Sequence, residues 1–425
     1  MNADSLLGRR QRALGSAYRL FYDEPVHLVR GEGAWLFDAD GNRYLDMYNN
    51  VPHVGHCHPR VVAAICEQAR LLNTHTRYLH DNVVNLAERL TAKLPAELDT
   101  AMFCCTGSEA NELALRIARK ATGGTGFIVT DFAYHGNTQA IHEISTDTIA
   151  PEEVPDHVVS VPSPDTYRGE FRGDDAAERY AEYTRDAIAR LQERGIRLAA
   201  FVIDTIVSSG GVVAPPRGYL ARAAEIVREA GGLFVADEVQ PGFGRTGRNF
   251  WGFEADAFVP DIVTMGKPMG NGHPLSAVVT RREVVDQFSK YGRYFNTFGG
   301  NPVSCAAGLA VLDVIEEEGL QQNALDVGEH LVDGLRKLAG MHECIGDVRG
   351  TGLFLAVDLV SSRDERTPAT EATELTARVV NDLRRRGVLT GSIGPNDNIL
   401  KLRSPLVLSK DDADYFLGVL DDVLR

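Results

Sequence analysis

Three short segments of this chain could do chemistry together. Lys267 closes the apolar run Ile262-Val263-Thr264-Met265-Gly266 and stands directly before Pro268, Met269 and Gly270. A lysine at a strand end points into the crevice where α/β sheets bind ligands. Removal from water lowers its proton affinity and leaves a nucleophilic, imine-forming amine. The second segment is Phe234-Val235-Ala236-Asp237-Glu238-Val239-Gln240. An acidic pair at the end of an apolar run suits a metal, acid–base work or a solvated turn. If Asp237 is buried, it needs a cationic partner, because an isolated carboxylate is too costly away from water. The third segment is Thr106-Gly107-Ser108-Glu109-Ala110-Asn111, between an apolar run and a helical one. It reads either as an anion cup built from the free N–H groups of a helix start, or as a plain N-cap at Ser108.

The elements that must position these residues follow from periodicity. Ala101–Cys105, Phe127–Val129, Leu198–Asp204, Leu233–Asp237 and Ile262–Met265 are short apolar runs bounded by turn residues, and are predicted strands. Helices are predicted between them at Glu109–Ala121, Asp174–Arg194 and Tyr219–Ala230. Strand and helix in alternation imply an α/β fold with a mostly parallel sheet and crossover helices. Ahead of this region, Asp40-Gly41 between two alternating runs signals a hairpin, and helices are expected at 59–72 and 81–94. After it come helices at 303–317 and 321–338, strands at 348–358 and 399–408, and helices at 373–386 and 410–424. The expected organisation is an N-terminal arm and hairpin over 1–58, a large domain over 59–324 and a smaller α+β domain over 325–425. A charged surface loop is expected at 363–369.

Composition sets outer limits. The chain has 425 residues, 44% hydrophobic and 24% charged, an ordinary globular balance. A formal net charge of −15 argues against a nucleic-acid or anionic-membrane surface. No apolar run approaches membrane-spanning length. Six cysteines without paired metal spacing, two of them adjacent at 104 and 105, fit a reducing, cytoplasmic setting. Gly242-Phe243-Gly244-Arg245-Thr246-Gly247 matches the dinucleotide pattern but opens no helix, so it is discounted. His53, His56 and His58 could suggest a metal; beside Pro52, Gly55 and Pro59 they read as loop residues, and no metal is expected. The Arg384–Arg386 run reads as a solvated helix end.

Phosphate cup, buried aspartate and strand-end lysine are together what pyridoxal 5′-phosphate (PLP) needs: a grip on its phosphate, a carboxylate for its ring nitrogen and an amine for its aldehyde. At this point the sequence resembles the class III aminotransferases of PLP fold type I. The resemblance rests on Gly107–Asn111, Tyr134-His135-Gly136, Asp237–Gln240 with Gly242–Gly247, Gly266-Lys267 and Asn296-Thr297-Phe298-Gly299-Gly300-Asn301-Pro302, in family order across almost the whole chain. It implies that Lys267 carries the cofactor as an imine and that Asp237 pairs with the pyridine nitrogen. Gly107 and Ser108 would bind the cofactor phosphate, Tyr134 would stack on the ring, Val239 would pack on its other face and Gln240 would approach the ring hydroxyl. Thr297 would reach the cofactor phosphate of a neighbouring subunit, which implies a homodimer with shared active sites.

Departures from the family pattern narrow the chemistry. Amino-acid-handling members carry an arginine where this chain has Lys401, so the bidentate fork for a substrate carboxylate is lost. The stretch Asp204-Thr205-Ile206-Val207-Ser208-Ser209 lacks the family's acidic gating residue. A site relieved of that acid and supplied with Lys and Arg favours a dianionic group. Residues 49–59, 73–82, 164–169 and 366–370 resemble the phospholyase branch of the family, whose members act on O-phosphoethanolamine or 5-phosphohydroxylysine. The resemblance implies 1,2-elimination of phosphate, giving acetaldehyde, ammonia and phosphate from phosphoethanolamine. Arg77 and Lys401 are the leading candidates to hold the substrate phosphate, with Tyr18, Asn50 and Arg403 behind them; Arg77 could instead pair with Asp81. An ω-aminotransferase using a keto acid acceptor and a non-catalytic PLP-binding scaffold are the competing readings.

Overall fold

A computed structural model describes residues 5–368 and 370–425, with side chains at 370–373 outside the description. The first four residues, and Ala369 of the expected charged loop, thus lie outside the described residues. A hairpin sheet comes first: β1 (Leu28–Glu32), β2 (Trp35–Asp38) and β3 (Arg43–Asp46). The Asp38 carboxylate closes its turn, accepting from the Asp40 and Asn42 N–H groups and from the Tyr44 hydroxyl. The arm is more ordered than the sequence suggested, with a helix at Leu6–Leu14 capped by Ser5.

The central sheet has seven strands: β4 (Thr100–Cys104), β5 (Gly126–Thr130), β6 (Val158–Val161), β7 (Leu198–Asp204), β8 (Leu233–Asp237), β9 (Ile262–Met265) and β10 (Ser276–Thr280). Their order is β4-β10-β9-β8-β7-β5-β6, parallel except for β10, which runs antiparallel to both neighbours. β7 shows why these strands are apolar throughout. Ala200 and Val202 face the layer of helix Gly107–Thr122, while Phe201 and Ile203 face helices Ala176–Glu193 and Tyr219–Glu229. Both faces are covered, so alternation disappears. β6 and β10 were not foreseen; Ser276-Ala277-Val278-Val279-Thr280 becomes a strand because it fills the gap between β9 and β4, a long-range pairing no local pattern announces.

The C-terminal region adds β11 (Ile345–Thr351), β12 (Phe354–Leu359), β13 (Val388–Leu389), β14 (Gly391–Ile393) and β15 (Ile399–Leu402). The expected single run 348–358 is in fact a hairpin. It turns at Gly352, whose φ of +56° and 2.4 Å clearance from the Arg245 carbonyl exclude a side chain. The expected strand 399–408 stops at Leu402, because the Arg403 and Leu406 N–H groups leave the sheet for the carbonyls of Met47 and His53. β13 pairs with β3, and one apolar cluster runs from Leu45 through Trp251 and Leu312 to Val357 and Leu400. The N-terminal hairpin, the central sheet and the C-terminal sheet therefore share a core. Among the described residues no helix is long and apolar enough to cross a membrane.

Candidate active site

Strands β4, β7, β8 and β9 end on one side of the sheet, and their C-terminal ends open into a cavity of about 260 Å³. Gly107, Ser108, Tyr134, Asp204, Asp237, Val239, Gln240 and Lys267 line it. The topology brings these dispersed residues together: parallel strands joined by crossovers deliver their following turns to the same edge.

The helix cap forms without using Gly107 and Ser108 of the expected anion cup. Thr106, not Ser108, is the N-cap: its hydroxyl accepts the Glu109 N–H at 3.2 Å, and the Glu109 carboxylate reaches back to the Cys105 N–H at 2.7 Å. This leaves Ser108 in the first turn, where its hydroxyl meets the Asn137 side chain at 3.0 Å and accepts the Asn137 N–H at 3.1 Å. First-turn N–H groups have no partner within the helix and remain for an anion. A Cβ on Gly107 would come within 3.1 Å of Val239, and one on Gly136 within 2.4 Å of the Ser108 hydroxyl.

Asp237 is buried and held on three sides. Its Oδ1 accepts the Val239 N–H at 3.0 Å; its Oδ2 accepts the Asn111 amide at 2.9 Å and meets His135 Nδ1 at 2.7 Å. The sequence offered His135 and Asn111 only as motif letters; burial and these bonds make them the groups that orient the carboxylate. Next to it, Glu238 turns away from the cavity. Its carboxylate accepts from the Thr205 hydroxyl and from the Gly252 and Phe253 N–H groups, so it braces the loop after β8. Burial pushes its carboxyl up to about 8.

Lys267 opens a short 3-10 turn, Lys267–Gly270, just past β9. Burial and then the Arg403 guanidinium lower its amine to about 8, against the opposing pull of Asp237 and Asp204. Asn271, one residue past the turn, ties it to the N-terminal loop through the Val54 N–H at 2.9 Å and the Gly55 carbonyl at 2.8 Å.

The cationic candidates divide. Lys401, on β15, is 3% exposed, and its ammonium lies 5.4 Å from the Phe354 ring centroid. Burial and Arg403 drive its proton affinity well down, and Asp204 and Asp147 oppose them. Arg403 donates to the Gln240 amide oxygen and lies 4.5 Å over Tyr48. Gln240 is thereby committed to Arg403 and Ser208. Asn50 is buried, its amide nitrogen without a hydrogen-bond partner among the described residues, next to Val51 of the cavity wall. Tyr18 and Arg77 are not brought to the cavity of this chain. Tyr18 is exposed near Arg10, and Arg77 is exposed with its guanidinium 3.9 Å over Phe295. The Arg77–Asp81 pair is not formed either among the described residues, because the helix begins only at Asp81, with His80 as its cap. Thr297 is exposed on the segment after Asn296.

The stretch 204–209 carries no acid after its first residue, and that first residue belongs to the site. Asp204 lines the cavity, its Oδ1 accepting the Ile206 N–H and its Oδ2 the Ser208 N–H and hydroxyl. Burial and Asp237 raise its proton affinity. Its place at a strand end was the signal available in the sequence. The three histidines diverge: His53 to the Phe243 carbonyl and Arg245, His56 to Asp46, His58 to Glu318. The glycine-rich segment opens no helix. Its Arg245, fully buried, donates to the Leu353 and Ser404 carbonyls and joins three chain segments.

The sequence profile described as Aminotransferase class-III matches residues 21–424. The chain belongs to this family. A Drosophila melanogaster member named alanine–glyoxylate aminotransferase 2-like is 46% identical over 418 residues, 96% of this chain and 84% of that protein. A Caenorhabditis elegans member named ethanolamine-phosphate phospho-lyase homolog 1 is 40% identical over 439 residues, 99% of this chain and 93% of that protein. A solved phospholyase from Arthrobacter, in complex with phosphoethanolamine, superposes with a TM-score of 0.94 at 46% identity, covering 99% of both chains. The fold is that of the PLP fold type I members, and the family cofactor is PLP. The residues fit it: free N–H groups at Gly107 and Ser108 for phosphate, an oriented carboxylate at Asp237, a low-affinity amine at Lys267, and Tyr134 and Val239 on the cavity wall.

Proposed function

We propose that this chain is a PLP-dependent phospho-lyase that converts O-phosphoethanolamine to acetaldehyde, ammonia and phosphate. One observation carries the reading: Lys401 and Arg403 are buried beside Lys267, and neither is ion-paired to a carboxylate among the described residues. Burial without a counter-ion drives the proton affinity of Lys401 well down and lowers that of Arg403; a substrate phosphate dianion supplies the missing charge and favours both protonated forms. The phosphoethanolamine bound by the Arthrobacter phospholyase supports the same substrate class.

Bound PLP supplies an electron sink for the pair left when the amine-bearing carbon loses its proton. Lys267 is the group placed to take that proton; an amine near 8 is partly free base at neutral pH. Lys401 and Arg403 hold the phosphate, which departs from the adjacent carbon. The unsaturated amine that remains hydrolyses to aldehyde and ammonia. Tyr134, 38% exposed, lines the cavity. Thr297, Arg77 and Tyr18 complete the site only across a second copy of the chain. Tyr78, Leu79 and Phe298, next to Arg77 and Thr297 in the chain, are exposed apolar side chains of the kind such a homodimer buries.

The test is incubation with phosphoethanolamine without any amino acceptor, measuring free phosphate and acetaldehyde. Equal release of both supports the lyase. No release, with amino transfer to a keto acid, supports an aminotransferase, the reading favoured by the name of the fly relative. Parallel incubation with 5-phosphohydroxylysine separates the two phosphorylated amines. A reducing, cytoplasmic setting accords with six free thiols among the described residues.

A further inference from the structure

A guanidinium that binds a substrate phosphate must stand at the cavity without being neutralised there. A carboxylate bonded to it would compete with the phosphate for the same N–H groups and the same charge. Arg403 is buried, pairs with no carboxylate among the described residues, and its Nε has no hydrogen-bond partner among them. Two contacts hold the guanidinium: the Tyr48 ring, 4.5 Å away, and the side-chain oxygen of Gln240, which lines the cavity. A glutamine amide has two nearly isosteric orientations, and only one presents oxygen to Arg403. The other sets N–H groups against a cation. Ser208, buried behind Gln240, decides between them. Its hydroxyl donates to the Asp204 carboxylate, an acceptor only, so its oxygen is left to accept, and Gln240 Nε2 donates to it. The guanidinium at the opposite end is a donor only. The two charged ends therefore fix the direction of every bond in the chain Arg403 to Gln240, Gln240 to Ser208 and Ser208 to Asp204, and polarise it in one sense.

We infer that Ser208 is a positioning residue for the substrate phosphate: its hydroxyl, oriented by Asp204, turns the Gln240 amide so that its oxygen holds Arg403 at the cavity wall. This rests on the phospho-lyase reading above.

The turn that carries Ser208 is strained and braced. Val207, β-branched, sits at a φ of +44°, a conformation that persists only where the surroundings over-determine it. Asp204 accepts the Ile206 and Ser208 N–H groups, each at 3.1 Å. Ile206 and Val212 pack with Phe354, Ala356 and Ile399 of the C-terminal sheet. Arg349, on β11, donates to the Gly211 carbonyl at 3.0 Å; the Asp358 carboxylate holds Arg349 at 3.0 Å and takes Arg168 as well. Arg168 Nε in turn donates to the Arg366 carbonyl at 2.7 Å. Arg168 and Arg366 belong to segments that resemble the phospholyase branch, yet neither lines the cavity. Their place is in the brace behind Ser208.

The experiment is a double-mutant cycle on the PLP-loaded enzyme, with Ser208→Ala, Arg403→Gln and the two combined. Each form is measured by steady-state kinetics on phosphoethanolamine and by calorimetric titration with inorganic phosphate. In the wild-type background Ser208→Ala is expected to raise KM about 10-fold, to leave kcat within about threefold, and to weaken inorganic phosphate about 10-fold. In the Arg403→Gln background it should change KM and phosphate affinity by less than about twofold, because the group it positions is gone. Equal losses in both backgrounds would make Ser208 a structural residue and overturn the inference. So would an unchanged KM and phosphate affinity in Ser208→Ala, or a loss confined to kcat. Wild type that releases no phosphate but binds it refutes the phospho-lyase reading, and the inorganic phosphate cycle then decides on Ser208. Wild type that neither releases nor binds phosphate refutes both.

Discussion

Attachment of PLP should be governed by the proton on Lys267. An ordinary lysine, at 10.5, is only about 0.03% free amine at pH 7. With the amine lowered to about 8, roughly 10% is free at that pH, about 300-fold more nucleophile. The rate of covalent attachment to the cofactor-stripped protein should therefore rise about tenfold per pH unit below 8 and level off above it. Borohydride quenching at timed points, followed by mass spectrometry of the peptide carrying Lys267, measures that rate from pH 6 to 10. Burial is the larger cause of the lowered affinity and Arg403 the second. Arg403→Gln should thus move the midpoint upward, because the like charge that opposes the ammonium is removed. A midpoint near 10 in the wild type would refute the claim that the fold activates Lys267. An unmoved midpoint in Arg403→Gln would leave burial as the sole cause.

Three further outcomes follow from the geometry. Gly136→Ala should weaken PLP binding about tenfold or more while circular dichroism stays unchanged, since a Cβ there meets the Ser108 hydroxyl at 2.4 Å at a φ of +138°; equilibrium dialysis of the cofactor measures it. Glu238→Ala should lower stability by about 2–4 kcal/mol, because the Thr205, Gly252 and Phe253 donors lose their buried acceptor, read from the midpoint of urea unfolding. Lys401→Met should raise KM for phosphoethanolamine by about 10-fold or more with PLP content unchanged, measured by phosphate release against substrate concentration; an unchanged KM would remove Lys401 from phosphate binding.

What was legible in the chain, and what was not, divides along the range of the forces involved. Short runs such as Leu198–Asp204 and Leu233–Asp237 announce strands because a strand covered on both faces has no polar side, and alternating helices announce crossovers. Gly107-Ser108, Asp237 and Lys267 were readable because chemistry restricts the residue types and local turns fix where they sit. The pairing of β10 between β9 and β4 and the hairpin at Gly352 were hidden, since both depend on partners far along the chain. The same holds for the charges. From residue types alone Arg77 and Lys401 were equal candidates for a phosphate. Only the tertiary structure buried Lys401 beside Lys267 and left Arg77 outside on Phe295. It also set Ser208 between Asp204 and Gln240, because the turns after β7 and β8 meet only once those strands pair.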